Sequence, residues 1–260
     1  MSPVSLTERS ARVVAAAKLL RLAGRRRAGR FLVEGANLVE AALRHRLAVE
    51  VFATDAAMSR FADLLAGAEV HLITDKAAKS LSDTVTPVGL YAVCDRPSAS
   101  LVDVLADRPQ LVLVAVATSE PGNAGTLIRI ADAMGADAVI LTDDSVDPFN
   151  GKCLRASAGS VFSVPVLEAP DSRTLIAELR SAGLAVRATT LDAETSLDAV
   201  DLTRPTAWLF GSEAHGLASD VAALADERVR VPMWGGAESL NVAAAAAICL
   251  YESARTLRRG

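Results

Sequence analysis

Short apolar runs alternate with stretches of helical periodicity along the chain, which is typical of an α/β protein. Residues 111–117 form a continuous apolar run, as expected of a parallel strand that is buried on both faces. Residues 96–109 contain prolines, serines and mixed charge, and we predict a linker there, with a possible helical turn at residues 101–105. The pattern therefore predicts two α/β domains, residues 1–95 and residues 110–260, the second with a mostly parallel sheet.

Individual elements follow from the same pattern. The predicted helices cover residues 7–22, 35–43, 55–65, 75–81, 123–134, 151–158, 172–182, 217–224 and 240–257. The predicted strands cover residues 31–34, 49–53, 69–73, 89–94, 111–117, 138–141, 184–190, 207–210 and 228–231. Thr7 and Ser239 are the predicted N-caps of the first and last helices, and residues 24–29 are predicted to be a basic turn between glycines.

Composition narrows the class of protein. Hydrophobic residues make up 51% of the chain and aromatic residues 4%, so Ala, Val and Leu must fill the core. Cys94, Cys153 and Cys249 have no metal-ligand spacing and cannot all pair, so we interpret them as buried residues in a reducing compartment, and we expect no metal. We see neither a signal peptide nor an apolar run of membrane length, which favours a cytoplasmic protein with no membrane partner.

Charge is distributed unevenly along the chain. The net charge is −4, yet the first 50 residues hold ten Lys or Arg against four Glu, which is +6 and leaves −10 for the remainder. Such asymmetry is expected of a segment that contacts phosphates, although a solvated basic helix without a partner would look the same. The candidate contacts here are Arg25, Arg26, Arg27 and Arg30.

Three polar, glycine-bearing loops follow predicted strands, and the carboxyl edge of a parallel sheet is where ligands bind. The first loop leads from Ser119 into a helix that carries Asn123 and Arg129. The second places Glu213 between Gly211 and Gly216. The third runs from Val231 past two glycines to Ser239 and Asn241. Each loop alone could be structural, but together they predict one ligand pocket.

These loops resemble the three motifs of the SpoU (TrmH) family of RNA ribose 2′-O-methyltransferases. The matching stretches are Asn123-x5-Arg129 with Ala131 and Gly135, Gly211-x-Glu213-x-x-Gly216, Val231-Pro-Met233 with Ser239-Leu-Asn241-Val, and the intervening Gly151-Lys-Cys-Leu-Arg-Ala-Ser-Ala-Gly159. Residues 1–95 are similar to the family's RNA-binding domain of the ribosomal-protein L30e type. Glu120 stands where many members carry Asp, and Trp234 and His215 stand at variable positions.

The resemblance implies a deep trefoil knot in the second domain, a homodimer, and S-adenosylmethionine as methyl donor. It implies a catalytic set of Arg129, Asn123, Glu213, Ser239 and Asn241. It implies cofactor binding at Gly211, Val231, Met233, Leu240, Thr189 and Leu209. It implies RNA contacts at Arg25, Arg26, Arg27, Arg30, Lys152 and Arg155, and 23S ribosomal RNA as the substrate, because tRNA-modifying relatives lack the L30e-like domain.

Three alternatives stay open at this point. A tRNA 2′-O-methyltransferase would use the same motifs on another substrate. A non-catalytic RNA-binding or ribosome-assembly protein would have lost some of the five catalytic residues, and all five are present. A nicotinamide-dependent oxidoreductase is suggested by the strand–glycine–helix arrangement at residues 111–134, but the Gly-x-Gly-x-x-Gly fingerprint is absent.

Overall fold

The computed structural model describes residues 5–142, 145–212 and 215–258. Up to residue 97 the elements are α1 (Ala11–Ala17), α2 (Leu22–Ala28), β1 (Arg30–Glu34), α3 (Ala36–Arg44), β2 (Ala48–Ala53), α4 (Asp55–Arg60), β3 (Val70–Leu72), α5 (Asp75–Ser80) and β4 (Leu90–Asp95). They are followed by α6 (Leu101–Ala106), β5 (Leu111–Val116), α7 (Pro121–Met134), β6 (Ala138–Thr142), α8 (Gly151–Ser157), β7 (Val166–Ala169), α9 (Ser172–Ser181), β8 (Ala185–Thr189), β9 (Thr195–Ser196), β10 (Thr206–Phe210), α10 (Ser219–Ala222), β11 (Glu227–Arg230) and α11 (Val242–Leu257). Short 3-10 turns occupy Lys18–Leu20, Ser160–Phe162 and Leu197–Ala199.

The chain forms two compact units. The first comprises the residues up to Pro97 together with Phe149–Phe162, and the second comprises Ser98–Pro148 and the residues from Ser163 onward. The chain therefore returns to the first unit after it has begun the second. Residues 101–106, within the predicted linker, form α6, whose Val104 is buried in the core of the second unit.

The first unit contains a mixed four-stranded sheet in the order β1-β4-β2-β3. β4 is antiparallel to β1 and β2, whereas β2 and β3 are parallel. Phe31, Phe52 and Tyr91 are each fully buried in these strands. Tyr91 donates a 2.9 Å hydrogen bond to the carbonyl of Ala78, and burial raises the pKa of its hydroxyl. This sheet thus has the apolar interior that the sequence pattern predicts.

Residues Phe149–Phe162 complete the core of the first unit. The ring of Phe149 lies 4.8 Å from that of Phe31, and the ring of Phe162 lies 5.6 Å from it. Between these contacts, Arg155 of α8 pairs with Asp83 at 2.6 Å. The segment is therefore attached by aromatic packing near both ends and by an ion pair in its middle.

The second unit contains a seven-stranded sheet in the order β7-β6-β5-β10-β8-β11-β9, and every paired strand in it is parallel. β5, β6 and β10 are buried along their whole length, as their continuous apolar sequences predict. β7 and the two-residue β9 were not predicted, because such short segments carry too little periodicity. The mixed α/β class and the mostly parallel sheet are confirmed.

Two local predictions were wrong. The basic stretch 24–29 belongs mainly to helix α2 rather than to a turn, and a Cβ on Gly24 would overlap the carbonyl of Lys18. Only a glycine lets the 3-10 turn approach α2 so closely. The predicted first helix begins only at Ala11, after Ser10 rather than the predicted cap Thr7, and it ends at Ala17, where it continues as that 3-10 turn.

All three cysteines are buried, as predicted, and none of them forms a disulfide. Burial raises the pKa of the Cys249 thiol to about 12 and also raises the pKa of Cys94. Burial thus disfavours the reactive thiolate form of Cys94 and Cys249. In the described parts of the chain, no helix has the length and apolar character needed to cross a bilayer, and no cluster of His, Cys, Asp or Glu has a metal-binding arrangement.

Candidate active site

The predicted loops follow strands at the carboxyl edge of the seven-stranded sheet, and the second and third of them line a common cavity, whereas no described residue of the first lines it. β5 and β8 flank β10, and β11 lies beside β8, so the segments that follow these four parallel strands emerge side by side. A cavity of about 580 Å³ opens there. Pockets for cofactor-sized ligands measure about 300–1,000 Å³. The carboxyl edge therefore provides a site of suitable size.

Most of the predicted cofactor-binding residues line this cavity. Thr189, Gly211, Val231, Met233 and Leu240 all contribute to its wall. Leu209 does not line it; its side chain is fully buried, and its carbonyl accepts a 3.0 Å hydrogen bond from Thr189 Oγ1. Leu209 therefore holds a wall residue in position.

The backbone turn between residues 211 and 217 explains why position 211 is a glycine. Ser212 and Gly216 form an antiparallel bridge, with hydrogen bonds of 3.2 Å from Ser212 N to Gly216 O and 2.8 Å from Gly216 N to Ser212 O. A Cβ on Gly211 would overlap the backbone of Gly216 and Leu217. Position 211 therefore requires glycine because the backbone of Gly216 and Leu217 approaches it closely. The sequence analysis had attributed this glycine to the approach of a ligand.

Thr190 lines the cavity next to Thr189, in the region that the family resemblance places near the cofactor. Its hydroxyl oxygen is buried and has no hydrogen-bond partner among the described residues. A buried polar atom without a partner is costly, and a ligand that bonds to it removes that cost. The residues that the sequence analysis did not single out for this wall are Leu191, Asp192, Phe210, Ser212, Leu217, Ser219, Ala222, Arg228, Val229 and Ala245. No motif identifies them, because they are brought together only by neighbouring strands.

Asn123 and Asn241 join two of the loops. Asn241 Nδ2 lies 3.3 Å from Asn123 Oδ1, although 118 positions separate the two residues in the chain. Asn241 also caps α11, because its side-chain oxygen accepts a 2.9 Å hydrogen bond from the amide of Ala243. The prediction that Ser239 is the cap was wrong. Ser239 is instead an exposed residue of the cavity wall.

Arg129 lies on α7, six residues after Asn123. Its side chain is exposed and makes no hydrogen bond or ion pair with the described part of the chain. Glu120 caps this helix through a 3.4 Å bond from the amide of Gly122. Arg129 is thus an exposed cation on a helix whose Asn123 bonds to Asn241, at the end of the loop that borders the cavity. Glu213 lies outside the described residues.

The predicted RNA contacts have different environments. Arg26 and Arg27 are exposed in the last turn of α2, and Lys152 is exposed on α8. Arg30 is partly exposed and pairs with Asp95 at 2.7 Å. The predicted RNA contact of Arg25 must be corrected, because Arg25 is only 5% exposed and donates a 2.9 Å hydrogen bond to the carbonyl of Leu19.

Arg155 also differs from its prediction. Its guanidinium donates hydrogen bonds of 2.6 Å and 3.4 Å to the two carboxylate oxygens of Asp83, in a two-pronged arrangement. Such bidentate pairing fixes the orientation of an arginine. We therefore regard Arg155 as a residue that orders the first unit rather than as a primary phosphate contact.

A parallel α/β sheet with a mixed polar and apolar cavity at its carboxyl edge is typical of an enzyme that binds a nucleotide-like cofactor. The "SpoU rRNA Methylase family" matches residues 110–251, and an "MRM3-like substrate binding domain" matches residues 11–92. The chain belongs to the SpoU rRNA methylase family.

Individual relatives agree with this assignment. The chain is 36% identical over 221 residues to the Bacillus subtilis (strain 168) 23S rRNA (guanosine(2553)-2′-O)-methyltransferase RlmP, which covers 85% of this chain and 87% of the relative. The structure of the SpoU methyltransferase AviRb from Streptomyces viridochromogenes in complex with AdoMet aligns with a TM-score of 0.84 and 30% identity, over 97% of this chain and 100% of that one. A structure concerned with 2-OH methylation of tRNA aligns with a TM-score of 0.54 and 28% identity, over 59% of this chain and 99% of that one.

Proposed function

We propose that this protein transfers a methyl group from S-adenosylmethionine to a ribose 2′-hydroxyl of RNA, and that the RNA is 23S ribosomal RNA. The observations that carry the proposal are the cavity at the carboxyl edge, which gathers residues of the second and third motifs, and the Asn123–Asn241 bond, which joins the first motif to the third. The family membership and the printed activity of the Bacillus subtilis relative support the same reaction.

The cavity fits the proposed cofactor in size and chemistry. Leu240, Met233 and Val229 supply apolar wall suited to an adenine ring, and the unpartnered hydroxyl of Thr190 can bond to a polar group of the ligand. Backbone groups around Gly211 lie at the same wall. When bound, S-adenosylmethionine supplies an electrophilic methyl group on a sulfonium.

Arg129 is the residue we assign to the substrate. A guanidinium stays protonated at physiological pH and matches a phosphate with two parallel hydrogen bonds. We therefore infer that Arg129 grips the phosphate beside the target ribose and polarises the 2′-hydroxyl, rather than removing its proton. As the oxygen–methyl bond forms and the sulfur–methyl bond breaks, the hydroxyl proton would pass to solvent water. Its exposure, without a competing ion pair among the described residues, leaves it available for this contact.

Asn123, Asn241 and Ser239 are assigned to positioning. The Asn123–Asn241 bond ties the arginine-bearing helix to the loop that ends the cavity wall. Holding the reacting groups in line can lower a barrier by about 7–11 kcal/mol in ideal cases. We assign Glu213 to the same set on the strength of its motif alone.

We assign the residues before 96 to substrate binding and those after 109 to methyl transfer. A match to a substrate-binding domain covers residues 11–92, and the aligned tRNA-methylation structure spans only 59% of this chain. These observations favour ribosomal RNA over tRNA, and action on ribosomal RNA would put the protein in the cytoplasm. We also propose a homodimer, because Ile248 and Tyr251 of α11 form an exposed stripe that is 39% and 53% exposed, respectively.

The test is a map of 2′-O-methylation across total RNA from a strain without this protein, compared with the same strain that expresses the wild type or Arg129→Ala. We expect one or a few 23S positions to lose methylation in the deletion strain, to regain it with the wild type, and to stay unmethylated with Arg129→Ala. Purified Arg129→Ala should bind S-adenosylmethionine as the wild type does in calorimetry. Loss of methyl groups from tRNA alone would assign the other substrate, and an unchanged map would refute the enzyme.

A further inference from the structure

The two tryptophans of the chain have opposite environments. Trp208 in β10 is 0% exposed, and its indole donates a 2.9 Å hydrogen bond to Ser253. Trp234, in the loop that follows β11, is 90% exposed. Tryptophan side chains are highly buried on average. An indole that is almost fully exposed to solvent therefore indicates a partner outside the chain.

Trp234 belongs to the loop that borders the cavity. Its neighbour Met233 lines the wall, as do Ser239 and Leu240 farther along the loop. The loop ends at Asn241, which bonds to Asn123 of the helix that carries Arg129. The indole is therefore carried by a loop whose neighbouring residue lines the cavity and whose end bonds to the helix that carries Arg129.

The glycines after Trp234 are not required by packing within the chain. A Cβ on Gly235 or Gly236 would meet nothing within 4 Å, in contrast to Gly211, where it would overlap the backbone of Gly216. Two adjacent glycines in open space give a loop the freedom to change its path when a ligand arrives. This observation is independent of the exposure of Trp234 and supports the same conclusion.

We propose that Trp234 is a stacking platform for an unpaired base of the RNA substrate, next to the ribose that receives the methyl group. The proposal rests on the proposed function. RNA sites that enzymes modify are commonly unpaired, and their splayed bases stack on aromatic side chains. Every base has a π face, so the contact would strengthen binding at the site without selecting a single base.

Three substitutions separate stacking from simple apolar contact. With in-vitro-transcribed 23S rRNA, Trp234→Ala and Trp234→Leu should raise KM by about 5- to 100-fold, the factor expected from the loss of one base–aromatic stack. Trp234→Phe keeps a π face and should stay within about threefold of the wild type. Val102→Ala removes another exposed apolar side chain, 77% exposed on α6, and should change nothing. Binding of S-adenosylmethionine and the thermal midpoint should be unchanged in all four variants.

Fluorescence quenching reports the contact directly, because the other tryptophan is buried. Acrylamide should quench Trp234 in the free wild type, and saturating 23S transcript should protect it. In Trp234→Phe only Trp208 remains, so quenching should be weak with or without RNA. A purely structural role for Trp234 would not produce protection by RNA.

The outcomes are distinct. Wild-type methyl transfer without RNA protection of Trp234, or a KM that Trp234→Leu leaves unchanged, overturns the proposal and leaves the enzyme intact. Strong protection before RNA is added means that a second copy of the chain covers the indole, which also overturns it. A wild type that methylates no RNA fails the proposed function itself.

Discussion

At the scale of single residues, the site depends on side chains that have two tasks. Asn241 caps α11 through its oxygen and reaches Asn123 through its nitrogen. A residue with only one of these groups would separate the two tasks. The chain thereby offers a direct test of whether the link between the loops matters for catalysis.

We predict that Asn241→Asp keeps the stability of the protein but loses activity. The aspartate retains an oxygen for the amide of Ala243 and loses the donor to Asn123, whereas Asn241→Ala loses both and should cost about 0.5–2 kcal/mol of stability. Urea unfolding would measure the stability of each variant, and tritiated-methyl transfer would measure its activity. Wild-type turnover by Asn241→Asp would remove the Asn123–Asn241 bond from the mechanism.

Gly211 and Gly235 form a matched pair for a second prediction. Gly211→Ala should destabilise the protein by about 1–3 kcal/mol or more and reduce S-adenosylmethionine binding, because the new methyl group would overlap the backbone of Gly216. Gly235→Ala has open space and should be neutral or stabilising by up to about 1 kcal/mol. Thermal unfolding and calorimetry measure both effects. Equal stabilities of the two variants would contradict the tight turn at Gly211.

At the scale of elements, the segment Phe149–Phe162 departs most from the predicted domain division. It was predicted to lie in the second domain, and it belongs to the first unit. Its sequence lies within the match to the methylase family, yet its side chains pack on β1 of the first unit. The first unit thus depends on a segment encoded after the second unit has begun. The chain therefore passes between the two units more than once.

We predict that Phe31→Ala loosens this segment. Phe31 is fully buried against Phe149 and Phe162, so its truncation should cost about 3–5 kcal/mol. Limited proteolysis read by mass spectrometry should then show earlier cleavage within residues 149–162. Phe61→Ala, at a half-buried ring, is the control and should leave those sites protected. Equal cleavage in both variants would argue against the attachment through Phe31.

At the scale of the whole molecule, positive charge is concentrated in the first 50 residues, and the remainder of the chain is negatively charged. Residues 1–50 carry +6 in a chain of net charge −4. The structure refines which of these cations reach solvent, since Arg25 is buried while Arg26 and Arg27 are exposed. The proposed RNA contact therefore rests on fewer side chains than the sequence suggested.

We predict that changing both Arg26 and Arg27 to Gln weakens RNA binding and flattens its salt dependence. Each lost phosphate contact should reduce the slope of log K against log salt by about 0.7–0.9. Filter binding of the 23S transcript at several salt concentrations measures the slope. Arg204→Gln removes an exposed cation of the second unit and is the control. An unchanged slope in the double variant would exclude this end of α2 from the interface.

The sequence alone determined the class of fold and most of its elements. Continuous apolar runs such as β5 and β10 are typical of buried strands, and the periodicity of α3, α7 and α9 predicted helices whose ends lie within two residues of those observed. The motif residues predicted the pocket in part, because residues of the second and third motifs line it, whereas Asn123 and Arg129 of the first motif do not. The trefoil knot implied by the resemblance stays a prediction.

Only the tertiary structure decided which atoms meet. Thr190 joins the cavity because β8 lies between β10 and β11, and Asn241 finds Asn123 across 118 positions of sequence. It also buried Arg25, occupied Arg155 with Asp83, and explained Gly211 by the chain's own turn. The physical reason is common to all of these. Periodicity records how each segment meets water or the core, whereas partners are chosen by the order of strands and by packing, which no local pattern encodes.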